Sequence, residues 1–572
     1  MHRVFVIDDR DGVAQVLVER LRESDAVELC LRGPRRESAH GGAANYAKLF
    51  AAGAVDMVVY SPPLSDRRNA LDLADAEAVF RACARMSVKH FVLLSNAAAY
   101  GASPQNPGLI SESRPTQRNG KDGIAGRWLG LEALAAAHLD GESGRRTRLT
   151  ILRPAAVLVP CGADYFSRLF GRRFALTLPG HDPSIQLLSP EDLASAVRCA
   201  VERDKGGVYN VAPDGVIPLR AALRLAGTKR LPVPRTLQRL ARSALARAGL
   251  CHAVEQLDYV RYSWTVSNSW AKHELGFSPK RSSVGALADF VGARHADRPN
   301  NKGTSSESDG RSREFDEFGM DEEYIAAFGR TLFRFLERRY WRIEVDGFER
   351  VPREGGAVLV GPHRGFMPWD GIMLIHMITK RTGRVPRFLM HPGLIRWPFC
   401  FNFMTKLGGI IACQENAERV LSRGGLLGIF PEGVNGVFTL YRDAYRLGKF
   451  GRNDFVKIAL RNQSPIIPFV NVGSAEIFPI LKKFEWRWWK RVTHWPCFPV
   501  TVTPLPLPSK WHVQFLAPVH IAGRYPPEAA EDAGVVRAIS REVRGRMEEA
   551  IENILRRRPS IFYGSVFEQE AS

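Results

Sequence analysis

His363, Asp370 and Glu432 are the residues of this chain whose types and spacing could move a proton at a substrate. The first two lie in Gly361-Pro362-His363-Arg364-Gly365-Phe366-Met367-Pro368-Trp369-Asp370, and the third in Phe430-Pro431-Glu432-Gly433. Each stretch follows an apolar run, at 357–360 and 425–430, that reads as a buried strand. The first also precedes an apolar segment, 371–378, that reads as a helix, so His363 belongs to a strand-to-helix turn. Asp370 is near enough in sequence to fold back and accept a hydrogen bond from one imidazole nitrogen. That bond fixes the tautomer and leaves the other nitrogen as a base. Glu432 stands in the turn after the second strand, where a carboxylate needs a partner or a task.

The pairing of these two turns resembles the glycerolipid acyltransferase superfamily over residues 322–525, and Pro465-Ile466-Ile467-Pro468-Phe469-Val470 is similar to that family's fourth motif. The resemblance implies an α/β domain that moves an acyl group from a CoA or acyl-carrier-protein thioester to a glycerolipid hydroxyl, with no metal. It implies His363 as general base, Asp370 as its orienting partner, and Phe430, Pro431, Glu432 and Gly433 at the acceptor. The spacing from His363 to Asp370 is longer than is usual in that family, so contact between them requires 365–368 to bulge. Members of the 1-acylglycerol-3-phosphate type hold the phosphate with arginines in the second motif and after Pro-Glu-Gly, because a dianion calls for charge-assisted partners. Here those places read Gly408-Gly409-Ile410-Ile411-Ala412-Cys413-Gln414-Glu415 and Val434-Asn435-Gly436. Arg442, Arg446 and Arg452 are the nearby candidates to replace them, so a phosphorylated glycerolipid of the lysophospholipid type is the expected acceptor, with a neutral mono- or diacylglycerol or a glycolipid as the alternative.

A chain of 572 residues predicts about two to four domains. Hydrophobic and charged contents of 45% and 24% are those of globular protein. The formal net charge of +20 favours anionic partners, among which are CoA phosphates, anionic lipid and nucleic acid. Eight scattered cysteines without Cys-x-x-Cys spacing suggest neither zinc nor a disulfide framework, and fit a reducing cytoplasm. No signal peptide is expected, since Met1-His2-Arg3 runs straight into a strand, and no uncharged apolar run is long enough to span a membrane.

Residues 1–293 alternate apolar strands with helical patterns, the signature of a doubly wound parallel sheet. This half resembles the extended short-chain dehydrogenases of the NAD-dependent epimerase and dehydratase type. The residues that such a family needs are poorly kept. Where a glycine-rich turn should let the backbone approach a pyrophosphate, the chain has Asp8-Asp9-Arg10-Asp11-Gly12, whose carboxylates would repel it. The Tyr-x-x-x-Lys pair is missing from 116–132, where Lys121 and Arg127 have no tyrosine to activate. Ser95 and Tyr100 frame a segment like the family's, but Asn96 aligns with its catalytic hydroxyl. A Rossmann-like domain that binds NAD(P) weakly or not at all is the expectation.

A polar, small-residue stretch predicts a linker over 294–322, leaving 323–572 for the acyltransferase-like α/β domain. Helical periodicity over 324–340 places Phe328, Leu332, Phe335 and Leu336 on one side, and 537–558 reads as a closing amphipathic helix. Three segments suggest an anionic membrane surface as partner: a basic amphipathic pattern at 236–250, an apolar aromatic run at 388–411, and Trp486-Arg487-Trp488-Trp489-Lys490-Arg491 after Lys482 and Lys483. Nothing else resembles a nucleic-acid module. A cytoplasmic, peripheral-membrane acyltransferase is thus expected. Two rivals remain: an NAD(P)-dependent epimerase or reductase with an appended lipid-binding module, and a non-catalytic membrane-associated scaffold. The oligomeric state is not legible.

Overall fold

The computed structural model describes residues 2–8, 13–32, 42–62, 73–116, 123–139, 147–159, 165–234, 236–237, 257–296, 315–451, 453–493 and 495–567. The chain forms two compact units, Met1–Gly319 and Met320–Ser572.

The first unit is built on β1 (His2–Asp8), α1 (Ala14–Arg22), β2 (Val27–Arg32), α2 (Gly42–Gly53), β3 (Met57–Ser61), α3 (Leu73–Arg85), β4 (His90–Leu94), α4 (Ile124–Leu139), β5 (Arg148–Pro154), α5 (Pro190–Arg203) and β6 (Gly207–Val211). The six strands of its main sheet are all parallel, in the order β6-β5-β4-β3-β1-β2. Successive strand residues point to opposite faces. Phe5, Val58, Phe91 and Ile151 therefore join a core with α2, α3 and α4, while Val4, Val59, Val92 and Leu152 join one with α1 and α5. Burial on both faces explains the near-continuous apolar strands and makes this a doubly wound Rossmann-like sheet.

The second unit opens with α6 (Glu322–Phe328), capped by the Asp321 carboxylate, which accepts from the Tyr324 N–H at 3.0 Å. Met320 packs against the core of this unit, so the linker expected over 294–322 ends earlier; residues 297–314 lie outside the described ones. After α6 the chain continues as two wide helical turns, Gly329–Phe333 and Leu336–Tyr340. Their i→i+5 bonding shifts the phase of the helix. Phe333 and Leu336 are buried as a result, whereas Leu332 and Phe335 are exposed, contrary to the face expected from a regular period.

The sheet of this unit uses β7 (Glu344–Asp346), β8 (Ala357–Val360), β9 (Arg387–Met390), β10 (Ile410–Ile411), β11 (Leu426–Ile429), β12 (Ile466–Val472) and, beyond a separate hairpin, β15 (His512–Phe515). The hairpin pairs β13 (Ile480–Phe484) with β14 (Phe498–Thr501). Sheet order is β7-β15-β12-β8-β11-β9-β10, parallel except where β15 meets β12. Helix α7 (Trp369–Thr382) follows β8, α8 (Pro398–Lys406) follows β9, α9 (Asp454–Arg461) precedes β12, and α10 (Arg487–Thr493) links the hairpin strands. Ala357, Leu359, Ile467 and Phe469 cluster with α7, and a 25-residue helix, α11 (Ala533–Arg557), packs along β12. The end of α11 is fixed by Arg558, which donates to the buried Glu476 carboxylate at 2.7 Å while Ser509 donates to the same oxygen at 2.8 Å.

Burial holds the imidazoles of His90 in the first unit and His512 in the second down to about 4. An unfolded histidine takes its proton near 6.5, so between these values the unfolded chain binds more protons than the folded one. Stability is therefore full above pH 6.5 and falls as the pH drops toward 4. Urea titrations followed by tryptophan emission at about pH 7.5 and about pH 5 should show a lower midpoint at the acid value, with a smaller difference in His512→Gln. Eight of the eleven tryptophans lie in the second unit, so the signal reports chiefly on it.

Candidate active site

Register brings the two turns together. β8 and β11 are parallel neighbours, with Val360 opposite Ile429, so the chain leaves both strands at the same edge of the sheet. Ligands of open α/β sheets lie beyond that carboxyl edge. Gly361 leaves β8 where a Cβ would come within 2.2 Å of the Phe469 ring, so only glycine fits. Gly365 then takes φ +80°, a left-handed turn, and a side chain there would meet the Ser474 carbonyl. This turn produces the bulge that the long spacing demanded.

With the bulge in place, His363 Nδ1 lies 2.7 Å from Asp370 Oδ2. The same carboxylate accepts from the N–H of Arg364 at 2.9 Å and, through Oδ1, from the N–H of Gly371 at 2.7 Å. Asp370 is 1% exposed and sits in the first turn of α7, where the helix dipole favours a negative charge. A carboxylate only accepts, so neutral His363 carries its proton on Nδ1 and presents a lone pair on Nε2. The ring lies flat on Phe430, with centroids 4.4 Å apart and planes 14° from parallel, so its orientation is held from two sides.

Beyond this ring lies a cavity of about 550 Å³, within the range of small-molecule sites. His363, Phe430, Pro431 and Gly433 line it at the sheet edge, and Phe388, Met390, Leu394, Trp397, Cys400 and Met404 form much of its apolar wall. Part of the aromatic run at 388–411 is thus the wall of a groove, and part of it, Phe399, is exposed at 72%. Trp495, which the sequence did not single out, also lines the cavity and stacks on Trp397 at 5.2 Å.

Glu432 is not on that wall. It is buried, and its carboxylate receives both terminal nitrogens of Arg364 and the N–H of Gly448. Arg364 also donates from Nε to the Ala444 carbonyl at 2.7 Å, from Nη1 to the His363 carbonyl at 2.9 Å and from Nη2 to the Arg446 carbonyl at 2.9 Å. All five of its N–H groups are used. Glu432, expected at the acceptor, here braces the two turns through Arg364 and Gly448 rather than lining the cavity. Arg364 went unnoticed because a basic residue after a histidine carries no periodic or spacing signal; only the tertiary partner gives it meaning.

Arg442 and Arg446, proposed for a phosphate, are not on the cavity wall either. The side chains of Arg442 and Arg446 are 80% and 86% exposed and lie beside Asp443. Sequence proximity to Pro-Glu-Gly could not reveal that exposure. Arg452 lies outside the described residues.

In the first unit, the glycine-poor turn falls largely outside the described residues: Asp9, Arg10, Asp11 and Gly12 do so, Asp8 ends β1 opposite Ser61 with its side chain undescribed, and Lys121 is also outside. The end of β4 is described. Ser95 donates to Glu132 of α4, which is in turn clamped by Arg153 of β5 at 2.9 and 2.6 Å. Arg153 lies over the Tyr100 ring at 4.6 Å, and the Tyr100 hydroxyl donates to Asn210 at 2.9 Å; burial pushes that phenol up. Asn96 uses its side chain to cap the following turn, accepting from the Ala98 N–H.

Removing Arg364 strands a buried carboxylate. Arg364→Met should cost about 3–5 kcal/mol of second-unit stability, and Arg364→Lys much of the same, because an ammonium cannot reach all five acceptors. Arg364→Met combined with Glu432→Met should recover part of the loss. A double-mutant cycle on urea midpoints measures this; additive losses would place the two residues in independent roles.

Residues 342–472 match the family model described as Acyltransferase. An uncharacterized protein of Mycobacterium tuberculosis is 36% identical over 259 residues, covering 44% of this chain and 72% of that one. Another, from Mycobacterium leprae, is 32% identical and covers 60% of this chain and 92% of that one. A Bos taurus protein named DGAT1/2-independent enzyme synthesizing storage lipids is 27% identical over 150 residues, 26% of this chain and 44% of that one. Among solved structures, MoeE5 with UDP-glucuronic acid and NAD covers 52% of this chain and 99% of its own at 16% identity and TM-score 0.39. The UDP-glucose 4-epimerase of Thermotoga maritima covers 51% and 99% at 15% identity and TM-score 0.40. The chain thus carries an acyltransferase-family domain over 342–472 and belongs to one family with the uncharacterized mycobacterial proteins.

Proposed function

We propose that the second unit transfers an acyl group from a CoA or acyl-carrier-protein thioester to a glycerolipid hydroxyl, with His363 as general base. The observation that carries this reading is the Nδ1 bond to Asp370 beside a cavity with an apolar wall. Nε2 takes the proton of the acceptor hydroxyl as its oxygen attacks the thioester carbonyl. Asp370 stabilises the imidazolium, the C–S bond breaks, and the thiolate leaves with the proton from Nε2. Base assistance of this kind is worth about 10²–10⁴ in rate. His363→Ala should lose at least that factor in thiol release while keeping its urea midpoint, and Asp370→Asn should fall between it and the parent. Turnover at the parental rate in folded His363→Ala would exclude the role.

A neutral acceptor is favoured over a phosphorylated one. Among the described residues that line the cavity there is no lysine or arginine to pair with a phosphate, and the bovine relative is named for storage lipids. Diacylglycerol and lysophosphatidate offered together to the enzyme should give chiefly the triacyl product; exclusive use of lysophosphatidate would reverse the preference.

For the first unit we propose a Rossmann-like fold without nicotinamide chemistry. Ser95 already spends its hydroxyl proton on Glu132, and the chain has no tyrosine in 116–132. Calorimetry with NAD and NADP should detect no binding in the micromolar range, and a micromolar Kd would overturn the proposal.

A further inference from the structure

The hairpin of the second unit carries an aromatic surface that is not needed by its core. Phe484, Trp486 and Trp488 form a continuous stack, with ring centroids 5.6 and 5.9 Å apart and planes within 16° of parallel. Trp486 is 44% exposed and Trp488 59%. Soluble proteins seldom expose such contiguous apolar rings without a partner for them. Trp489 behaves differently: its indole N–H donates to the Cys497 carbonyl at 3.0 Å and its ring meets Phe498 edge-on, so it anchors the stack to the hairpin.

Charge accompanies the rings. From 482 to 491 the chain carries Lys482, Lys483, Arg487, Lys490 and Arg491 against one acid, Glu485. Indoles and basic side chains together suit the headgroup layer of a bilayer, where rings lie among carbonyls and glycerols and cations meet phosphates.

This surface is joined to the cavity. Trp489 lies 6.1 Å from Trp495, and Trp495 stacks on Trp397; the last two line the cavity. Arg396 also donates to the Arg491 carbonyl at 3.4 Å, tying the rim that bears Trp397 to the end of α10. Next to that rim Phe399 is exposed. A lipid standing in a bilayer under the hairpin would meet the apolar entrance without crossing water.

We propose that the Phe484–Trp486–Trp488 stack and its flanking cations dock the second unit on an anionic lipid bilayer, and that the cavity is loaded from that surface. The docking half stands alone, while the loading half rests on the acyl-transfer reading. Among the described residues no helix is long and apolar enough to cross a membrane, so the contact proposed is interfacial.

The experiment is co-sedimentation of the full chain with vesicles of phosphatidylcholine alone and of equal parts phosphatidylcholine and phosphatidylglycerol, across a salt series. The parent should bind the anionic vesicles and be partly released by salt, since exposed charges act within about 8 Å at physiological ionic strength. Trp486→Ser with Trp488→Ser should weaken binding at least tenfold at every salt concentration. Lys482→Gln, Lys483→Gln and Lys490→Gln together should weaken binding to anionic vesicles alone and flatten the salt dependence. Both variants should use a short-chain, water-soluble acceptor at the parental rate and a vesicle-borne acceptor more slowly, whereas His363→Ala should lose both activities and still sediment. Failure of the folded parent to sediment, or unchanged binding of the tryptophan variant, would overturn docking. So would loss in that variant of homopolymer RNA binding or of self-association with vesicle binding intact. Equal slowing on soluble and vesicle-borne acceptors would overturn loading, and activity retained in His363→Ala would overturn the catalytic reading while leaving docking in place.

Discussion

Arg364 and Glu432 hold the site of the second unit together. Their side chains are 3% and 2% exposed, and each comes from a different turn at the same edge of the sheet. A buried ion pair repays its desolvation only when the remaining donors and acceptors are also satisfied. Here they are: three backbone carbonyls take the rest of the guanidinium, and the Gly448 N–H completes the carboxylate. Three pieces of chain, the turn after β8, the turn after β11 and the loop at 444–448, are thereby fixed to one another. His363 is the neighbour of Arg364, so its backbone is positioned by the same contacts.

That brace depends on how closely the backbones approach. β8 lies between β11 and β12, and its exit is crowded by Phe469 from β12, which requires Gly361. The left-handed Gly365 returns the chain toward the sheet, and α7 then starts with Asp370 facing His363. The imidazole ends between a carboxylate that sets its proton and a Phe430 ring that sets its plane. The His363–Asp370 pair and the brace both arise from two adjacent strand ends, at the edge where the cavity opens.

The first unit has a different economy of polar groups. At the end of β4, Ser95, Glu132 and Arg153 satisfy one another inside the protein, and Tyr100 and Asn210 do the same nearby. A serine and a tyrosine at the end of a parallel strand invite a catalytic reading, but here both have buried partners within the unit. The fold class follows from apolar alternation and survives such changes, because the strands need only be buried on both faces.

The sequence by itself determined the architecture of both units, the position of His363 in a strand-to-helix turn and the presence of an aromatic, basic segment near residue 486. These are local properties: period, punctuation by glycine and proline, and the order of residue types along one strand or turn. Tertiary structure decided what each polar group faces. It turned Glu432 inward to Arg364, left Arg442 and Arg446 in solvent, tied Trp489 to the hairpin while Trp486 and Trp488 stayed exposed, and rotated the helix after Phe328 so that Phe333 replaced Leu332 and Phe335 in the core. Each of those outcomes depends on a partner distant in sequence or on a change in helical hydrogen bonding, and neither leaves a mark in the spacing of residues along the chain.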